Sequence, residues 1–283
     1  MKKILSLVLA MLLIAVMFTG CSGQTAREYK VLDETLADEQ YGIGFRKADC
    51  SLRDEVQRIL CEMKADGTLA SISNTWFGAD VTTVPDTFVP TATEDDGSLT
   101  KVKEAGKFIL GLDDSFPPMG YNKDSEIIGF DIDLAKEVCK RMGVELVLQP
   151  IVWAQNVSEL NAGNIDCIWN GMTINETRAE AMNLSESYMA NRQVVVALKS
   201  SPISTLADLA GKTAVLQAGS TAVDAFAGNV AVKDSLAEAV EVENNVLAMY
   251  ELANGTGDVV IMDEIVARYY IEHLTELEDA AKN

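Results

Sequence analysis

The stretch from Asp131 to Ile151 reads DIDLAKEVCKRMGVELVLQPI, and it predicts an amphipathic helix that leads directly into a strand. The apolar positions of its first half follow the 3.6-residue period of a helix: Leu134, Ala135, Val138, Cys139 and Met142. Gly143 ends that period, as a glycine at a helix C-terminus does. Val144 to Ile151 then reads as a short buried strand, so the stretch indicates one helix–strand unit.

The same alternation continues on both sides of this unit. Five further segments read as short buried strands: Phe108 to Leu112, Ile165 to Trp169, Gln193 to Leu198, Ala214 to Gln217 and Asp258 to Met262. Helical patterns lie between them, and another helix is predicted from Ser51 to Asp66. Strands that alternate with helices predict an α/β fold with mostly parallel sheets. Residues 79–100 show no periodicity and contain many Thr, Pro, Asp and Gly residues, which predicts an exposed linker.

The composition argues against a nucleic-acid-binding protein. The 283 residues carry 43 acidic and 23 basic side chains, a formal net charge of −20. Binding to phosphates needs clustered Lys and Arg, and the sequence contains no such cluster. With 48% apolar residues the chain can bury a sizeable core, and its acidity indicates a solvated surface.

The first twenty residues predict a secretory signal peptide. Lys2 and Lys3 precede an apolar run from Ile4 to Met17, and the small Gly20 stands directly before Cys21. This arrangement resembles the lipobox of bacterial lipoproteins, in which the cysteine is diacylated and becomes the new N-terminus. We therefore expect a lipid on Cys21, a tether over residues 21–26 and a location on the outer face of the cell membrane. The alternative is a plain transmembrane anchor, for which the apolar run is at the short limit.

The sequence predicts neither a metal site nor a cofactor. Cys50, Cys61, Cys139 and Cys167 form no CxxC pair and His273 is the only histidine, so a zinc site of usual composition cannot be assembled. A nucleophile elbow, an HExxH sequence and a GxGxxG sequence are all absent, which argues against an enzyme. A disulfide among the four cysteines is an open question at this point.

Three segments contain residues suited to a zwitterionic ligand. Arg178 lies just past the strand Ile165 to Trp169, and its guanidinium can hold a carboxylate with two hydrogen bonds. The turn Gly219-Ser220-Thr221 opens a helix, whose free N-terminal amides attract the same anion. Asp263 follows the strand Asp258 to Met262 and can accept hydrogen bonds from an ammonium. Each segment has a structural alternative: a surface ion pair, an ordinary strand–helix turn and a helix N-cap, respectively.

Aromatic and acidic residues could form the wall around the side chain of such a ligand. Phe116 and Trp153 could enclose the side chain between their rings, and Asp113 could meet a polar or cationic group on it. The alternatives are ordinary core packing for the two rings and the capping of a turn for Asp113.

Taken in order and spacing, these segments resemble one protein family. From about Lys101 to the C-terminus the chain is similar to the family 3 extracellular solute-binding proteins, the amino-acid receptors of ABC importers. Five stretches carry the resemblance: FILGLDDSFPPM (108–119), IGFDIDLA (128–135), GNIDCIWNGMT (163–173), LQAGSTA (216–222) and DVVIMD (258–263). The resemblance implies a two-lobed, type II periplasmic-binding-protein-like α/β fold whose lobes are joined by two crossover strands.

The resemblance also implies a role for each site residue. The ligand ammonium is expected to contact the Asn170 backbone, Thr173 and Asp263. The ligand carboxylate is expected to contact Arg178 and the amides of Gly171 and Thr221, beside Ser220. The side-chain pocket is expected to be lined by Phe116, Trp153 and Asp113.

The order of the parts departs from the family. Family members end with a strand, a helix and a closing Trp-Phe-Gly, and here Tyr29 to Gly78 resembles that ending but stands at the front. After Ala267-Arg-Tyr-Tyr-Ile the sequence stops where family members continue. We expect a circular permutation in which residues 79–100 join the former C- and N-termini, at a small cost in loop entropy. The alternative is the remnant of a tandem array, in which the front piece completes another molecule by swapping.

A permuted chain of this family divides into two lobes. Lobe 1 is expected over residues 47–192, and lobe 2 over residues 193–283 with part of 27–46; the crossovers are expected near Tyr41 to Lys47 and near Asn191 to Leu198. We expect a monomer that captures a free amino acid by hinge closure and presents the closed lobes to an ABC permease in the membrane. Two alternatives are a cyclohexadienyl-dehydratase-like enzyme and a ligand-sensing module without transport.

Overall fold

A computed structural model describes residues 27–273 of the chain. The predicted signal peptide, Cys21 and the tether up to residue 26 lie outside the described residues, as do residues 274–283. Within residues 27–273 the structure contains no helix that is both long and apolar enough to cross a membrane.

Strands and helices alternate along the chain, as the sequence predicts. The strands are β1 (Tyr29–Arg46), β2 (Lys107–Leu112), β3 (Ser115–Phe116), β4 (Gly120–Lys123), β5 (Glu126–Ile128), β6 (Glu145–Pro150), β7 (Cys167–Thr173), β8 (Met182–Leu184), β9 (Met189–Leu198), β10 (Thr213–Gln217), β11 (Glu238–Val242) and β12 (Val259–Asp263). The α-helices are α1 (Cys50–Ala65), α2 (Thr68–Phe77), α3 (Ser98–Ala105), α4 (Phe130–Met142), α5 (Asn156–Ala162), α6 (Glu176–Ala181), α7 (Thr221–Gly228), α8 (Val230–Ser235), α9 (Asn245–Asn254) and α10 (Glu264–Glu272).

One large sheet runs through the described part of the chain. Its strand order is β11-β10-β12-β9-β1-β7-β2-β6, with β8 paired to β1. At one end β10 pairs in parallel with β11 and β12, and at the other end β2 pairs in parallel with β6 and β7. Between these ends β9 and β1 run antiparallel to their neighbours. The molecule therefore consists of two parallel α/β units that share two central antiparallel strands, and the predicted α/β fold is confirmed.

The long strand β1 belongs to both units. Its first part pairs with β9, starting from Tyr29 opposite Leu198, and its last part pairs with β7, up to Phe45 opposite Cys167. We call the unit with β2, β6 and β7 the first lobe and the unit with β10, β11 and β12 the second lobe. Because β1 and β9 are both part of the connection between the lobes, they are the structural elements at which a hinge can operate.

The front segment of the chain packs into the first lobe. Tyr41, Ile43 and Phe45 of β1 are fully buried in the same apolar cluster as Phe108 and Trp169. Helices α1 and α2 pack against α4, the helix of the stretch Asp131–Ile151. A separate cluster forms a core of the second lobe, and it contains Val195, Leu209, Leu216, Val259 and Ile261.

Residues 78–97 contain no helix and no extended strand, and most of them are exposed, as the sequence predicts. A few contacts nevertheless hold this segment against the first lobe. Val84 is only 1% exposed and belongs to the core of the first lobe. The buried carboxylate of Asp54 in α1 accepts hydrogen bonds from the backbone amides of Thr91 and Ala92, at 2.7 and 2.8 Å. Helix α3 begins at Ser98, so the predicted linker, residues 79–100, ends three residues too late.

The four cysteines of the described residues are all unbridged. Cys139 and Cys167 are buried, and burial raises the pKa of the Cys139 thiol to about 12 and that of the Cys167 thiol well above its usual range. Among residues 27–273 there is also no group of three or more His, Cys, Asp or Glu side chains that could hold a metal ion.

Candidate functional site

A small cavity of about 10 Å³ lies between the two lobes. It is lined by Phe116, Trp153, Asn170, Gly171, Thr173, Arg178, Gln217, Ser220, Thr221 and Asp263. Nine of these are residues that the sequence singles out. The tenth predicted residue, Asp113, contacts the lining residue Gln217. The structure thus brings together residues that are spread over 150 positions of the sequence, from Asp113 to Asp263.

Arg178 forms part of the first-lobe wall. Buried strand β7 ends at Thr173, and the side chain of Asn175 then caps α6 by accepting from the Arg178 amide at 2.8 Å. The cap places the guanidinium beside the strand end, where Nη1 donates to the Thr173 carbonyl at 2.8 Å. The guanidinium carbon lies 5.9 Å from the centre of the Trp153 ring, and removal from water lowers the pKa of Arg178. The arginine is therefore held in the cleft and not in a surface ion pair.

Asp263 forms the opposing wall in the second lobe. It ends β12 and precedes α10, but its side chain makes no capping hydrogen bond to that helix. Its Oδ1 instead accepts from the Tyr41 hydroxyl and from Nδ2 of Asn191, each at 2.6 Å. Burial, together with the nearby charge of Glu39, raises the pKa of Asp263 to about 7. A buried carboxylate of this kind is stabilised by any cation that reaches it.

The N-terminus of α7 completes the second-lobe wall. Ser220 precedes the helix, and its hydroxyl donates to the Gln217 carbonyl at 2.7 Å. The first amides of an α-helix have no acceptor within the helix, so this turn can bind an anion beside Arg178. The Thr221 and Thr173 hydroxyls lie 3.0 Å apart and join the two lobes.

Phe116 and Trp153 line another part of the cavity, and Asp113 lies behind its lining residue Gln217. All three are buried. Oδ1 of Asp113 accepts from the Ser115 amide and hydroxyl, at 2.9 and 2.6 Å, and Oδ2 accepts from Nε2 of Gln217 at 2.7 Å. Burial raises the pKa of Asp113, while these hydrogen bonds lower it. The Asp113–Gln217 hydrogen bond is a second direct link between the lobes.

The structure corrects the predicted role of the Gly171 amide. This amide donates to Oδ2 of the buried Asp131 at 2.7 Å, so it is not available to a ligand carboxylate. Gly171 has φ +56°, and a Cβ there would lie 2.7 Å from the Phe116 ring and 3.3 Å from the Tyr41 ring. The residue is therefore a glycine for steric reasons. Burial raises the pKa of Asp131 to about 7.

Sequence reasoning did not select several polar residues around the cavity. Gln217 lines it, and its Oε1 accepts from Nδ2 of Asn245 at 3.1 Å. Its position at the carboxyl end of a predicted strand was the signal that could have identified it. Glu39, Asn191 and Gln193 lie behind Asp263, and only the pairing of β1 with β9 brings them there.

The sequence profile of the bacterial extracellular solute-binding proteins, family 3, matches residues 108–270, which is more than half of the chain. The chain belongs to this family. The matched range includes all ten predicted ligand-contacting residues and both parallel units.

Named relatives are similar over a part of the chain. The arginine-binding extracellular protein ArtP of Bacillus subtilis is 28% identical over 185 residues, which are 64% of this chain and 71% of ArtP. The L-cystine-binding protein TcyJ of Escherichia coli is 32% identical over 121 residues, 42% of this chain and 46% of TcyJ. The lysine/arginine/ornithine-binding periplasmic protein of Escherichia coli is 32% identical over 161 residues, which are 56% of this chain and 61% of that protein. The matches to the last two thus span less than two thirds of the relatives' length.

Solved structures show the same fold. A substrate-binding protein of an ABC uptake transporter from Streptococcus pneumoniae, with bound histidine, is 39% identical with a TM-score of 0.60, over 61% of this chain and 72% of that one. A structure of Tv2483 bound to L-arginine is 30% identical with a TM-score of 0.61, over 64% and 74% of the two chains. These relatives are named as binding proteins, in agreement with the prediction that the chain is not an enzyme.

Proposed function

We propose that this protein captures a free amino acid by closure of its two lobes and delivers it to an ABC permease. One observation carries this proposal: Arg178 of the first lobe and Asp263 of the second line the same small cavity. A zwitterion presents a carboxylate to the first and an ammonium to the second, so it stabilises the closed arrangement of the lobes.

We assign the contacts as follows. The ammonium is held by Asp263, the Thr173 hydroxyl and the Asn170 backbone. The carboxylate is held by Arg178 and the amide of Thr221, with Ser220 completing the turn. Phe116 and Trp153 enclose the side chain, and Asp113 meets its end.

The ligand side chain is proposed to be polar or basic. The relatives are named for arginine, cystine, histidine and lysine, all of which carry a polar or charged group at some distance from the α-carbon. Asp113 supports this class because its buried carboxylate already accepts hydrogen bonds from Ser115 and Gln217, and a ligand donor there adds to that set.

The test is a thermal-shift screen of the twenty amino acids on residues 22–283, followed by calorimetric titration of those that raise the melting temperature. We expect a Kd in the micromolar range, about −8 kcal/mol. Arg178→Ala should abolish binding because it removes the carboxylate contact. Arg268→Ala is the matched control, since Arg268 is an exposed arginine of α10. If Arg178→Ala binds the amino acid with the same Kd as the wild-type protein, the proposal is wrong.

We also propose that the chain is a circular permutant of its family. The part matched by the family profile begins at residue 108, whereas Tyr29–Phe77 packs into the first lobe of the same molecule. An alignment that follows chain order cannot include both pieces, which is consistent with matches that cover about three fifths of the chain. On this proposal residues 47–192 form lobe 1, and residues 27–46 with 193–283 form the crossovers and lobe 2.

The lipid anchor is proposed from the sequence of residues 1–21 alone. Lipidation of Cys21 would hold the protein at the outer face of the cell membrane, next to the permease. We expect labelled palmitate to enter the wild-type protein and not Cys21→Ala, which should appear in the soluble extracytoplasmic fraction. Equal labelling of both proteins would contradict the assignment.

A further inference from the structure

Strand β7 is irregular where it borders the cavity. Ile168 of β7 pairs with Gly44 of β1, and the next pair along the two strands joins Met172 to Gly42. Two residue steps in β1 thus correspond to four in β7, and residues 169–171 form a β-bulge. Because a bulge redirects the backbone, this one determines which backbone groups of β7 face the ligand.

A buried carboxylate, that of Asp131, holds the bulge. Asp131 lies in the first turn of α4, is 0% exposed and does not line the cavity. Its Oδ2 accepts from the Gly171 amide at 2.7 Å and from the Tyr188 hydroxyl at 2.8 Å. The ring N–H of Trp169, in the same bulge, lowers the pKa of Asp131, although Trp169 Nε1 and Asp131 Oδ1 make no well-formed hydrogen bond within residues 27–273. The side chain of Asp131 therefore contacts the bulge and not the cavity.

The hydrogen bond from Gly171 fixes the direction of one peptide group. The peptide between Asn170 and Gly171 is trans, so its N–H and its C=O point in opposite directions. Because the N–H points to Asp131, the Asn170 carbonyl points away from Asp131. Asn170 and Gly171 both line the cavity. The carbonyl is thus directed to the cavity side of the bulge.

This direction depends on the contact with Asp131, because the bulge contains a glycine. Gly171 has φ +56°, and a glycine adopts positive and negative φ about equally readily. The backbone preference of Gly171 therefore does not keep the peptide group in one orientation. The Asp131 hydrogen bond supplies the missing constraint.

We infer that Asp131 is a positioning residue of the ammonium site: by holding the Gly171 amide, it turns the Asn170 carbonyl toward the ligand ammonium. This inference rests on the proposed function, which assigns that carbonyl to the ammonium. The acceptor is oriented before the ligand arrives, so ligand binding does not have to order the bulge. The same hydrogen bond occupies the Gly171 amide, and the ligand carboxylate is left to Arg178 and the Thr221 amide.

Tyr188 provides the matched control, because its hydroxyl donates to the same oxygen of Asp131. Tyr188→Phe removes one hydrogen bond to the buried carboxylate and leaves the bond from Gly171 in place. Asp131→Ala removes both. If Asp131 only stabilised the fold, the two variants would be less stable without a specific loss of ligand affinity in Asp131→Ala.

The first experiment is calorimetric titration of the mature protein without its lipid, residues 22–283. The probe is the L-amino acid that binds most tightly in the thermal-shift screen. Asp131→Ala should raise the Kd at least about fivefold, because the carbonyl is no longer held toward the ammonium. Tyr188→Phe should stay within about twofold of the wild-type Kd.

A spectroscopic measurement reports both ends of the peptide group. In an HNCO spectrum one cross-peak connects the Gly171 amide to the Asn170 carbonyl carbon. In the empty wild-type protein the amide should exchange slowly with deuterium, because it already donates to Asp131. Addition of the amino acid should move the carbonyl carbon downfield, as acceptance of a hydrogen bond does. In Asp131→Ala the Gly171 amide should exchange at least about tenfold faster, while the amide of Ile168 in the same strand keeps its wild-type rate.

Four results would overturn the inference and leave the proposed function standing. They are a smaller rise of the Kd in Asp131→Ala, an equal rise in Tyr188→Phe, a wild-type Asn170 carbonyl carbon that does not move downfield, and a Gly171 amide that exchanges freely in the empty protein. If Asp131→Ala does not fold, the two wild-type spectroscopic results decide. Absence of binding of any amino acid to the wild-type protein defeats the proposed function itself.

Discussion

Asp263 is 5% exposed, and its carboxylate receives its hydrogen bonds from neutral donors, a phenol and an amide. A bound cation stabilises the ionised form of such a buried carboxylate. Without a ligand, ionisation of the carboxylate is unfavourable. Its pKa of about 7 lies above the ordinary value of 3.8, so the folded protein favours the protonated form. The residue therefore reduces the stability of the empty protein at neutral pH.

We predict that Asp263→Asn abolishes amino-acid binding and stabilises the empty protein. Below about pH 4 the wild-type group is protonated both folded and unfolded, so the substitution has little effect there. As pH rises to about 7 the ionised form increasingly favours the unfolded chain, and the penalty is constant above that. The variant should gain roughly 1–3 kcal/mol in the free energy of unfolding at pH 8.

Urea unfolding of the empty protein at pH 4 and pH 8 measures this gain. Asp258→Asn is the control, because Asp258 is an exposed acid just before the same strand. A gain of equal size at both pH values would show that the effect does not come from the ionisation of Asp263.

At the scale of elements, the sequence predicts most of the regular structure around the site. The predicted helix over 131–142 and strand over 144–151 are observed as Phe130–Met142 and Glu145–Pro150. Their periods are regular because one face of each packs against a core. The carboxyl ends of β10 and β12 are observed within one residue of their predicted places, whereas β7 extends four residues beyond its predicted end at Trp169. Together the three strand ends bring Thr173, Ser220 and Asp263 to one place.

Strand β1 shows why the rest was not predictable. Val31 pairs with Val196 and Ala37 pairs with Gln193, so six residue steps in β1 correspond to three in β9. These bulges break the two-residue alternation that identifies a strand. The contacts of Asn191 with both Glu39 and Asp263 depend on this pairing, and local sequence patterns therefore contain no sign that Glu39 lies near Asp263.

The contacts that hold residues 78–97 against the first lobe were invisible to periodicity as well, because they are single contacts such as those with α1. The prediction here concerns Asp54, which accepts from the Thr91 amide and hydroxyl and from the Ala92 amide. Asp54→Ala leaves these donors without a partner and should reduce the free energy of unfolding by about 2 kcal/mol. It should also increase proteolytic cleavage within residues 85–95.

Chemical denaturation and limited proteolysis followed by mass spectrometry check this prediction. Glu62→Ala, an exposed acid on the same helix, serves as the control. Resistance to proteolysis equal to that of wild type would mean that the segment is held by other contacts, such as those of Val84.

At the scale of the whole molecule, the proposed permutation has a direct test. A chain in which residues 98–283 precede residues 24–78 restores the family order and omits the joining segment. Since the two pieces pack in the same molecule, the reordered protein should be a folded monomer and bind the same amino acid with a Kd within about threefold. Multi-angle light scattering and calorimetric titration measure both properties. A wild-type dimer that becomes a monomer on reordering would favour the swapped arrangement instead.

The start of β1 also determines how the molecule responds to force. Whatever pulls on the chain before residue 27 acts on Tyr29, the first residue of a strand that runs through the connection between the lobes. Because β9 lies antiparallel beside it, a load along β1 acts in shear on many hydrogen bonds at once and does not open them one by one. Such a load reaches the second-lobe core through Leu32 before it reaches Tyr41, where β1 begins to pair with the first-lobe strand β7.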